Sequence, residues 1–169
     1  MKIGSRIVVG SIAGLIGTMA MTSAMRRLHQ RLPAEEAYPL TPREIVDSAL
    51  DPEETPARDL TLLSHFAYGA ACGALLAAAN PRPGAGEGAA AGVAVWLGSY
   101  MGWIPAVGLL KPANRHPARR NLLMIGVHLV WGGATAVAIR ELGDARNSIF
   151  ADGADRDVPE DRQAEIDAD

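Results

Sequence analysis

The sequence of 169 residues contains one cysteine, two phenylalanines and several long stretches without a charged residue. The single cysteine, Cys72, excludes an intrachain disulfide and any zinc or iron–sulfur site built on cysteines. The sequence has few phenylalanines and 18 glycines, a composition that favours closely packed helices over a soluble core of large side chains. The formal net charge of −3 gives no indication of nucleic-acid binding. The length is typical of one domain.

Four stretches lack Asp, Glu, Lys and Arg over about the 20 mostly apolar residues that a membrane-spanning helix needs. They are residues 7–25, 60–79, 88–110 and 122–139. In a bilayer every backbone group must find a partner inside the segment, which favours helices. The sequence therefore predicts an all-α fold, a four-span transmembrane helical bundle over residues 1–140. Pro105 is expected to kink the third span.

Two other interpretations of these stretches are weaker. The first stretch resembles a signal peptide, with Lys2 and Arg6 before it and a small-residue "TSA" near its end. It is long for that purpose, and Arg26 and Arg27 follow at once, as they do after a retained helix. A soluble all-α bundle would show polar helix faces at a period of 3.6 residues, which these stretches lack.

The connections and the C-terminal end are polar. Residues 141–169 are predicted to be a disordered acidic tail, either a solvated end or a partner-binding segment, because ten Asp/Glu follow Arg140. Residues 41–50, "TPREIVDSAL", are typical of a short capped helix, with Thr41 as N-cap and Glu44 as its capping-box partner. This helix either lies at the membrane interface or is an ordinary loop helix.

Basic residues are more frequent on the face formed by the first and third connections. The opposite face carries Lys2, Arg6, Arg82 and Arg140. The positive-inside rule therefore places residues 26–59 and 111–121 in the cytoplasm and both termini outside. The basic residues assigned to topology setting, with contact to anionic lipid headgroups as the alternative, are Arg26, Arg27, Lys111, Arg115, Arg119 and Arg120.

One nine-residue pattern occurs twice, as "HFAYGAACG" at residues 65–73 and "HLVWGGATA" at residues 128–136. Helical spacing places its histidine, aromatic ring and small residues on one face of the second span and of the fourth. "LIGTM" (15–19) and "WLGSY" (96–100) match more weakly. We therefore expect two similar helical hairpins, related by a pseudo-two-fold axis along the membrane normal.

Small residues four positions apart occur on every predicted span. Such pairs let helix backbones approach closely in lipid, where burial of apolar surface drives association weakly. The residues predicted to pack the helices are Gly10, Gly14, Gly69, Gly73, Gly98, Gly102 and Gly132.

Polar groups within the spans are costly unless they are paired or face a cavity. The candidate polar, proton or ligand site consists of His65, His128, Tyr68, Trp131, Thr18 and Ser99. The structural alternative is that each histidine stays neutral and bonds a hydroxyl or carbonyl across the interface, with Thr18, Thr22, Ser99 and Tyr100 as candidates. Two histidines are few for a metal site, and no carboxylate lies in the spans. No catalytic residue, metal or cofactor is therefore predicted.

The segments "LPAEEAYPLTPREI" (32–45), "WLGSYMGWIPAVGLLKPANRHPARRN" (96–121) and "MIGVHLVWG" (124–132) resemble the YagU-like family of small bacterial inner-membrane proteins, a domain of unknown function. The resemblance covers roughly residues 5–140. It implies a four-span protein of the bacterial inner membrane and no particular reaction or ligand.

Three functions from different classes are consistent with the sequence. The first is a non-enzymatic bundle with a structural, stress-response or partner-binding role. The second is a small-solute or proton transporter or channel that uses the two histidines, either alone or as a homo-oligomer. The third is a bis-histidine haem or metal protein. The predicted partners are the lipid bilayer and further copies of the chain, and not nucleic acid.

Overall fold

A computed structural model describes residues 1–151, and within that range the chain forms helices and no strands. The helices are α1 (Ile3–His29), α2 (Thr41–Leu50), α3 (Glu54–Ala79), α4 (Ala85–Leu97), α5 (Ile104–Ala106) and α6 (Ala118–Asn147). A π-helical turn, Gly98–Trp103, joins α4 to α5, and 3-10 turns occupy Ala34–Glu36 and Ala113–Arg115. The predicted all-α fold class is confirmed for the described residues.

Three of these helices, α1, α3 and α6, are long and apolar enough to cross a membrane. They contain the predicted spans 7–25, 60–79 and 122–139. Their outward surfaces carry large apolar side chains such as Leu63, Leu75 and Leu122, each about 70% exposed (68%, 71% and 68%). An apolar surface of that extent is typical of contact with lipid or with another chain.

The third predicted span, residues 88–110, is not one continuous helix. Gly102 has non-helical dihedral angles (φ −107°, ψ −106°) inside the π-helical turn, and α5 covers only three residues. Pro105 has no N–H to offer the preceding turn and its ring crowds that turn, so the α-helical hydrogen-bond ladder cannot continue through this point. The predicted distortion at Pro105 is therefore confirmed, and it divides the predicted span into three pieces.

The contacts at the helix ends show that residues 85–106 nevertheless run the length of the bundle. At one end, Arg82 after α3 pairs with Asp144 near the end of α6. At the other end, Arg120 at the start of α6 bonds the loop that follows α1, for example the Tyr38 carbonyl at 2.8 Å. The chain leaves α3 at the first end and enters α6 at the second, so α4, the π-helical turn and α5 connect the two ends.

Helix α1 packs against both α3 and α6, and α6 packs in turn against α4. The α1–α3 contact is made through glycines, as predicted. A Cβ atom at Gly73 would lie 2.6 Å from Gly14 Cα, and one at Gly69 would overlap the Thr18 hydroxyl. Gly10 likewise faces Gly73 and Ala77. Any side chain on these glycines would separate the two backbones, so the pair forms a seam sealed by backbone contact.

The α4–α6 seam uses Gly132 of α6, as predicted, but other glycines of α4 than predicted. Gly88 and Gly92 lie against Gly132 and the His128 backbone, where a Cβ atom would overlap a carbonyl oxygen. A Cβ atom at Gly98 would meet nothing within 4 Å, and one at Gly102 would meet only the Leu97 carbonyl oxygen, at 3.8 Å. The assignment of Gly98 and Gly102 to helix packing is therefore wrong. Gly98 is six positions after Gly92, so it lies on another side of the helix.

The contacts between the helices depart from the predicted two-fold arrangement. Such an axis would relate α1 to α4 and α3 to α6, so the α3–α4 contact would match the α1–α6 contact. α1 and α6 meet closely where Gly17 faces Thr135 and the Trp131 carbonyl. α3 and α4 make little direct contact. Their junction is the open side of the bundle.

The N-terminus of α2 and the end of α6 differ from expectation. Leu40 is the N-cap of α2, Thr41 is already helical and no side chain caps this end. α6 continues through Asn147, past the tail boundary predicted at residue 140. The remainder of the predicted acidic tail, residues 152–169, lies outside the described residues.

Candidate functional site

A cavity of about 230 Å³ lies within the bundle, where α1, α3, α6 and the π-helical turn face one another. The first turn of α2 covers it with Thr41, Pro42 and Ile45. We call this space the inner cavity. Its wall is rich in aromatic side chains, namely Tyr68, Trp96, Tyr100, Trp103 and Trp131.

The structure brings all six predicted site residues to the inner cavity. They are Thr18 on α1, His65 and Tyr68 on α3, Ser99 on the π-helical turn, and His128 and Trp131 on α6. The two stripes of helical spacing therefore face the same space, although the helices that carry them, α3 and α6, are separated by α1 in the packing order. Cys72, one turn beyond Tyr68, lines the cavity as well.

His128 has a defined tautomer. Its Nδ1–H donates to the Met124 carbonyl oxygen at 2.7 Å, one turn back along α6. A carbonyl only accepts, so Nδ1 carries the proton in this bond and the neutral ring keeps an acceptor at Nε2. The partner is on the same helix, so the expected hydrogen bond from His128 across an interface is absent from the described part of the chain.

His65 differs from His128 in having an unsatisfied ring nitrogen. Its Nε2 is buried and has no hydrogen-bond partner within residues 1–151. Two of the hydroxyls proposed to pair with it are bonded elsewhere, since Thr22 donates to the Thr18 carbonyl and Ser99 donates to the Val95 carbonyl, each at 2.7 Å. The expected bond between His65 and a hydroxyl or carbonyl is therefore not formed at Nε2 within the described residues, and this buried nitrogen has no partner there.

Thr18 and Trp131 form a buried pair between α1 and α6. Trp131 Nε1–H donates to Thr18 Oγ1 at 3.2 Å, and this hydroxyl donates in turn to the Gly14 carbonyl at 2.7 Å. Both side chains are almost fully buried. The hydrogen bonds of both side chains are satisfied. The pair therefore holds the closed wall of the cavity together, and other residues provide the polar groups that could contact a ligand.

One side-chain bridge joins α3 to the π-helical turn. The Tyr68 hydroxyl lies 2.8 Å from Ser99 Oγ, and because Ser99 donates to Val95, Tyr68 is the donor to Ser99. The Tyr68 ring also packs against Trp103, with centroids 6.2 Å apart. Tyr68 and Trp103 are 42% and 43% exposed, so they form the outer wall of the open side. π-helical turns are frequent at functional sites.

Trp96 was not identified from the sequence. Its side chain is 8% exposed and lines the inner cavity, and its Nε1–H has no acceptor within the described residues. A buried N–H without a partner is costly, so it is a second unsatisfied hydrogen-bonding group in the side chains that line this space. Tryptophan is common in bundle interiors, and no sequence pattern distinguishes a cavity-lining ring from a packed one.

Arg120 holds in place the loop that leads into α2, the helix that covers the inner cavity. The sequence assigned it to topology and headgroups together with Arg26, Arg27, Lys111, Arg115 and Arg119, which are exposed. Arg120 is only 3% exposed, and its guanidinium donates to the carbonyls of Glu36, Tyr38 and Pro39 at 2.7–3.0 Å. It also lies 3.5 Å from the centre of the Tyr38 ring.

Glu44 of α2 completes this contact, with Oε2 3.4 Å from Arg120. Burial raises the pKa of the Glu44 carboxyl, and the Arg120 charge opposes that shift. Glu44 therefore acts as a partner of Arg120 and not as the capping-box residue that the sequence predicted.

A second space, the outer pocket, lies beside α2 where α1 ends and α3 begins, with a volume of about 500 Å³. Its lining includes Arg26, His29, Arg43 and Arg58 and no acidic residue within the described part of the chain. Two residues, Pro42 and His65, line both the outer pocket and the inner cavity. These two side chains therefore lie between the two spaces.

Metal-binding chemistry has little support in the described residues. No group of three or more His, Cys, Asp or Glu side chains within residues 1–151 could hold a metal ion. The bis-histidine haem or metal hypothesis thus has two ring donors on the cavity wall and no group of three such ligands within residues 1–151.

No family model, curated protein or solved structure matches this chain. The resemblance to YagU-like proteins has no support from these comparisons and stays a prediction. The geometry of the cavity is therefore the basis for assigning a function.

Proposed function

We propose that this chain is a non-enzymatic integral membrane protein of the bacterial inner membrane that binds a small, mostly apolar molecule in its inner cavity. The observation that carries the proposal is the cavity itself, about 230 Å³ with aromatic walls and the unpartnered Nε2 of His65. An engineered apolar cavity of roughly 150 Å³ binds benzene. A molecule with one ring or one chain and one hydrogen-bonding group fits the larger space.

The membrane assignment is supported by the helices that form the cavity wall. α1, α3 and α6 are long and apolar enough to span, and residues 85–106 connect the same two ends of the bundle. As one continuous α-helix these 22 residues would extend about 33 Å, close to the roughly 30 Å of a bilayer core, and the π-helical turn shortens that length. We propose that this distorted segment is the fourth span, with residues 26–59 and 111–121 in the cytoplasm and the termini outside.

The non-enzymatic role is supported by the chemistry of the wall. No carboxylate from the described residues lines the inner cavity, and neither Ser99 nor Cys72 is bonded to a histidine. Nucleophilic catalysis needs a base within hydrogen-bond reach of the nucleophile. The lining is instead typical of recognition, with apolar and aromatic surface and a few polar groups that orient a ligand.

Photolabelling tests the proposal in lipid nanodiscs. The probe is trifluoromethyl-diazirinyl benzyl alcohol, a small aromatic molecule with one hydroxyl. We expect labels on Tyr68, Trp96 and Trp103, and loss of those labels in Cys72→Trp, which fills the cavity. Leu75→Trp is the matched control, because this residue is one turn away on α3 and faces outward. Equal labelling of the two variants, or labels spread over outward residues only, would overturn the proposal.

Transport of a small solute or of protons is a second candidate function. The specific observation that favours it is the position of His65 between the two spaces. Proteoliposomes with a pH-sensitive dye inside should then show proton flux that is lost in the His65→Ala, His128→Ala double variant. His116→Ala, whose ring lines neither space, should keep the flux. Flux no faster than in protein-free liposomes would exclude proton transport.

A further inference from the structure

The geometry points to a more specific ligand, a single-chain amphiphile with an anionic headgroup. Its headgroup lies in the outer pocket and its chain passes His65 into the inner cavity. This inference rests on the proposed function, since the inner cavity must accept an apolar group. It adds the outer pocket, which that proposal does not use.

The charge of the outer pocket selects the sign of the headgroup. Arg43 pairs with Asp47 at 2.7 Å and with Glu54 at 2.8 Å, and Arg58 also bonds Glu54, at 2.7 Å. Two carboxylates thus offset two guanidinium groups. Arg26 lines the same pocket and forms no ion pair with any residue in 1–151. The pocket therefore has one uncompensated positive charge, suited to a carboxylate or a phosphate.

The boundary between the two spaces is the point where an amphiphile bound in both would change from polar to apolar. Pro42 and His65 line both spaces. His65 has its buried, unpartnered Nε2 at this boundary, and a small rotation of the ring would let it bond an oxygen at the neck of the headgroup. Beyond His65 the wall consists mainly of aromatic and small side chains, including Tyr68 and Cys72.

The dimensions fit one chain rather than two. Along α3, Arg58 lies about 10 Å before His65, and Cys72 lies about 10 Å beyond it, at 1.5 Å per residue. A ligand can therefore reach from the arginines to the depth of the cavity. The inner volume of about 230 Å³ is below the range of roughly 300–1,000 Å³ typical of small-molecule pockets, which leaves room for a single acyl chain.

Competition photolabelling of the full chain in phosphatidylcholine nanodiscs tests this inference. The probe is lauric acid with a diazirine at the far end of its chain. We expect labels on Tyr68 and Trp103, displaced by unlabelled laurate or dodecyl phosphate and far less by dodecanol. The stronger of the two anionic competitors identifies the headgroup as a carboxylate or a phosphate, and displacement by either one supports the inference.

The matched variants are Arg26→Gln and Arg27→Gln. Both residues are exposed and adjacent on α1, but only Arg26 lines the outer pocket. We expect Arg26→Gln to weaken laurate competition roughly fivefold, the effect of one partly exposed charged hydrogen bond, with no change in Arg27→Gln. Equal effects in the two variants, or dodecanol competing as well as laurate, would overturn the anionic ligand. If the benzyl alcohol probe still labels the cavity in that case, the proposed function stands. If that labelling is also absent, both the proposed function and the anionic ligand fail.

Discussion

Helices meet in two different ways in this molecule. At the α1–α3 and α4–α6 seams, glycine lies on glycine and the backbones are in contact. At the α3–α4 junction, the connection is a hydrogen bond between Tyr68 and Ser99 and the ring contact of Tyr68 with Trp103. A backbone seam has no side chain that can turn aside, whereas the junction is held by side chains whose rotation would open it. The bundle thus combines rigid walls with one adjustable wall.

The seams explain why the cavity persists. Helices in lipid gain little from burying apolar surface against each other, so a bundle with an internal space depends on close backbone contact elsewhere. Those contacts hold α1, α3, α4 and α6 in place, and α2 covers one end. The junction, which contributes little contact, is the part that a ligand can displace.

The largest expected effect comes from Gly92→Val compared with Gly98→Val on the same helical segment. Valine at Gly92 would overlap the His128 carbonyl and lie 2.9 Å from its carbon, so the α4–α6 seam must separate. We expect a loss of about 3 kcal/mol in the free energy of unfolding, the upper range for overpacking. Gly98 has no atom within 4 Å of an added Cβ, so Gly98→Val should cost far less.

Thermal unfolding in detergent, followed by tryptophan fluorescence, measures both glycine variants. Equal destabilisation by the two substitutions would restore the sequence-based assignment of Gly98 to helix packing. It would also contradict the distinction between seam and junction.

The glycine comparison shows what the sequence could and could not predict. The stripes on α3 and α6 followed from helical spacing alone, and they do face one cavity. The α1–α3 seam also followed, because Gly10 and Gly14 are the main small pair there. The α4 segment contains several small pairs, and spacing alone does not say which face is inward. The break at Gly102 further changes the direction of the chain.

Local sequence patterns could not predict the role of Arg120. Arg119 and Arg120 are adjacent and identical, yet one is exposed and the other bonds carbonyls about eighty positions earlier. The difference depends on how the first loop folds back over the bundle. Likewise, the unpartnered Nε2 of His65 depends on its neighbours in space, which the sequence does not specify.

The second prediction concerns residues 33–40 and the start of α2, which cover the inner cavity. Arg120→Met leaves three carbonyls without their donor and removes the partner of Glu44. We expect a loss of about 2–3 kcal/mol, typical of unpaired buried polar groups. Arg119→Met, at an exposed position, should stay within roughly 0.5 kcal/mol of the parent protein.

Limited proteolysis measures where the loss from Arg120→Met occurs. Cleavage should increase in residues 33–40, which Arg120 holds, while α1, α3 and α6 remain protected. Uniform cleavage of the whole chain would show that Arg120 supports the bundle rather than its cover.

The smallest expected effect is at the junction, in Tyr68→Phe. This change removes one hydrogen bond to Ser99 and keeps the ring that packs against Trp103. Interhelical hydrogen bonds in membranes average about 0.6 kcal/mol, so unfolding should hardly change. Access to the inner cavity should change more than stability, because the Tyr68–Ser99 bond closes the gap between α3 and the π-helical turn. Alkylation of Cys72, the single cysteine and part of the cavity wall, by N-ethylmaleimide should become faster.

A double-variant cycle separates this bond from other effects of the substitution. Ser99→Ala removes the acceptor, so it should accelerate Cys72 alkylation to a similar degree, and the combined variant should react no faster than either single one. Additive acceleration would mean that the two side chains limit access independently. The junction would then be closed by packing, as the seams are, and the contrast between rigid and adjustable walls would disappear.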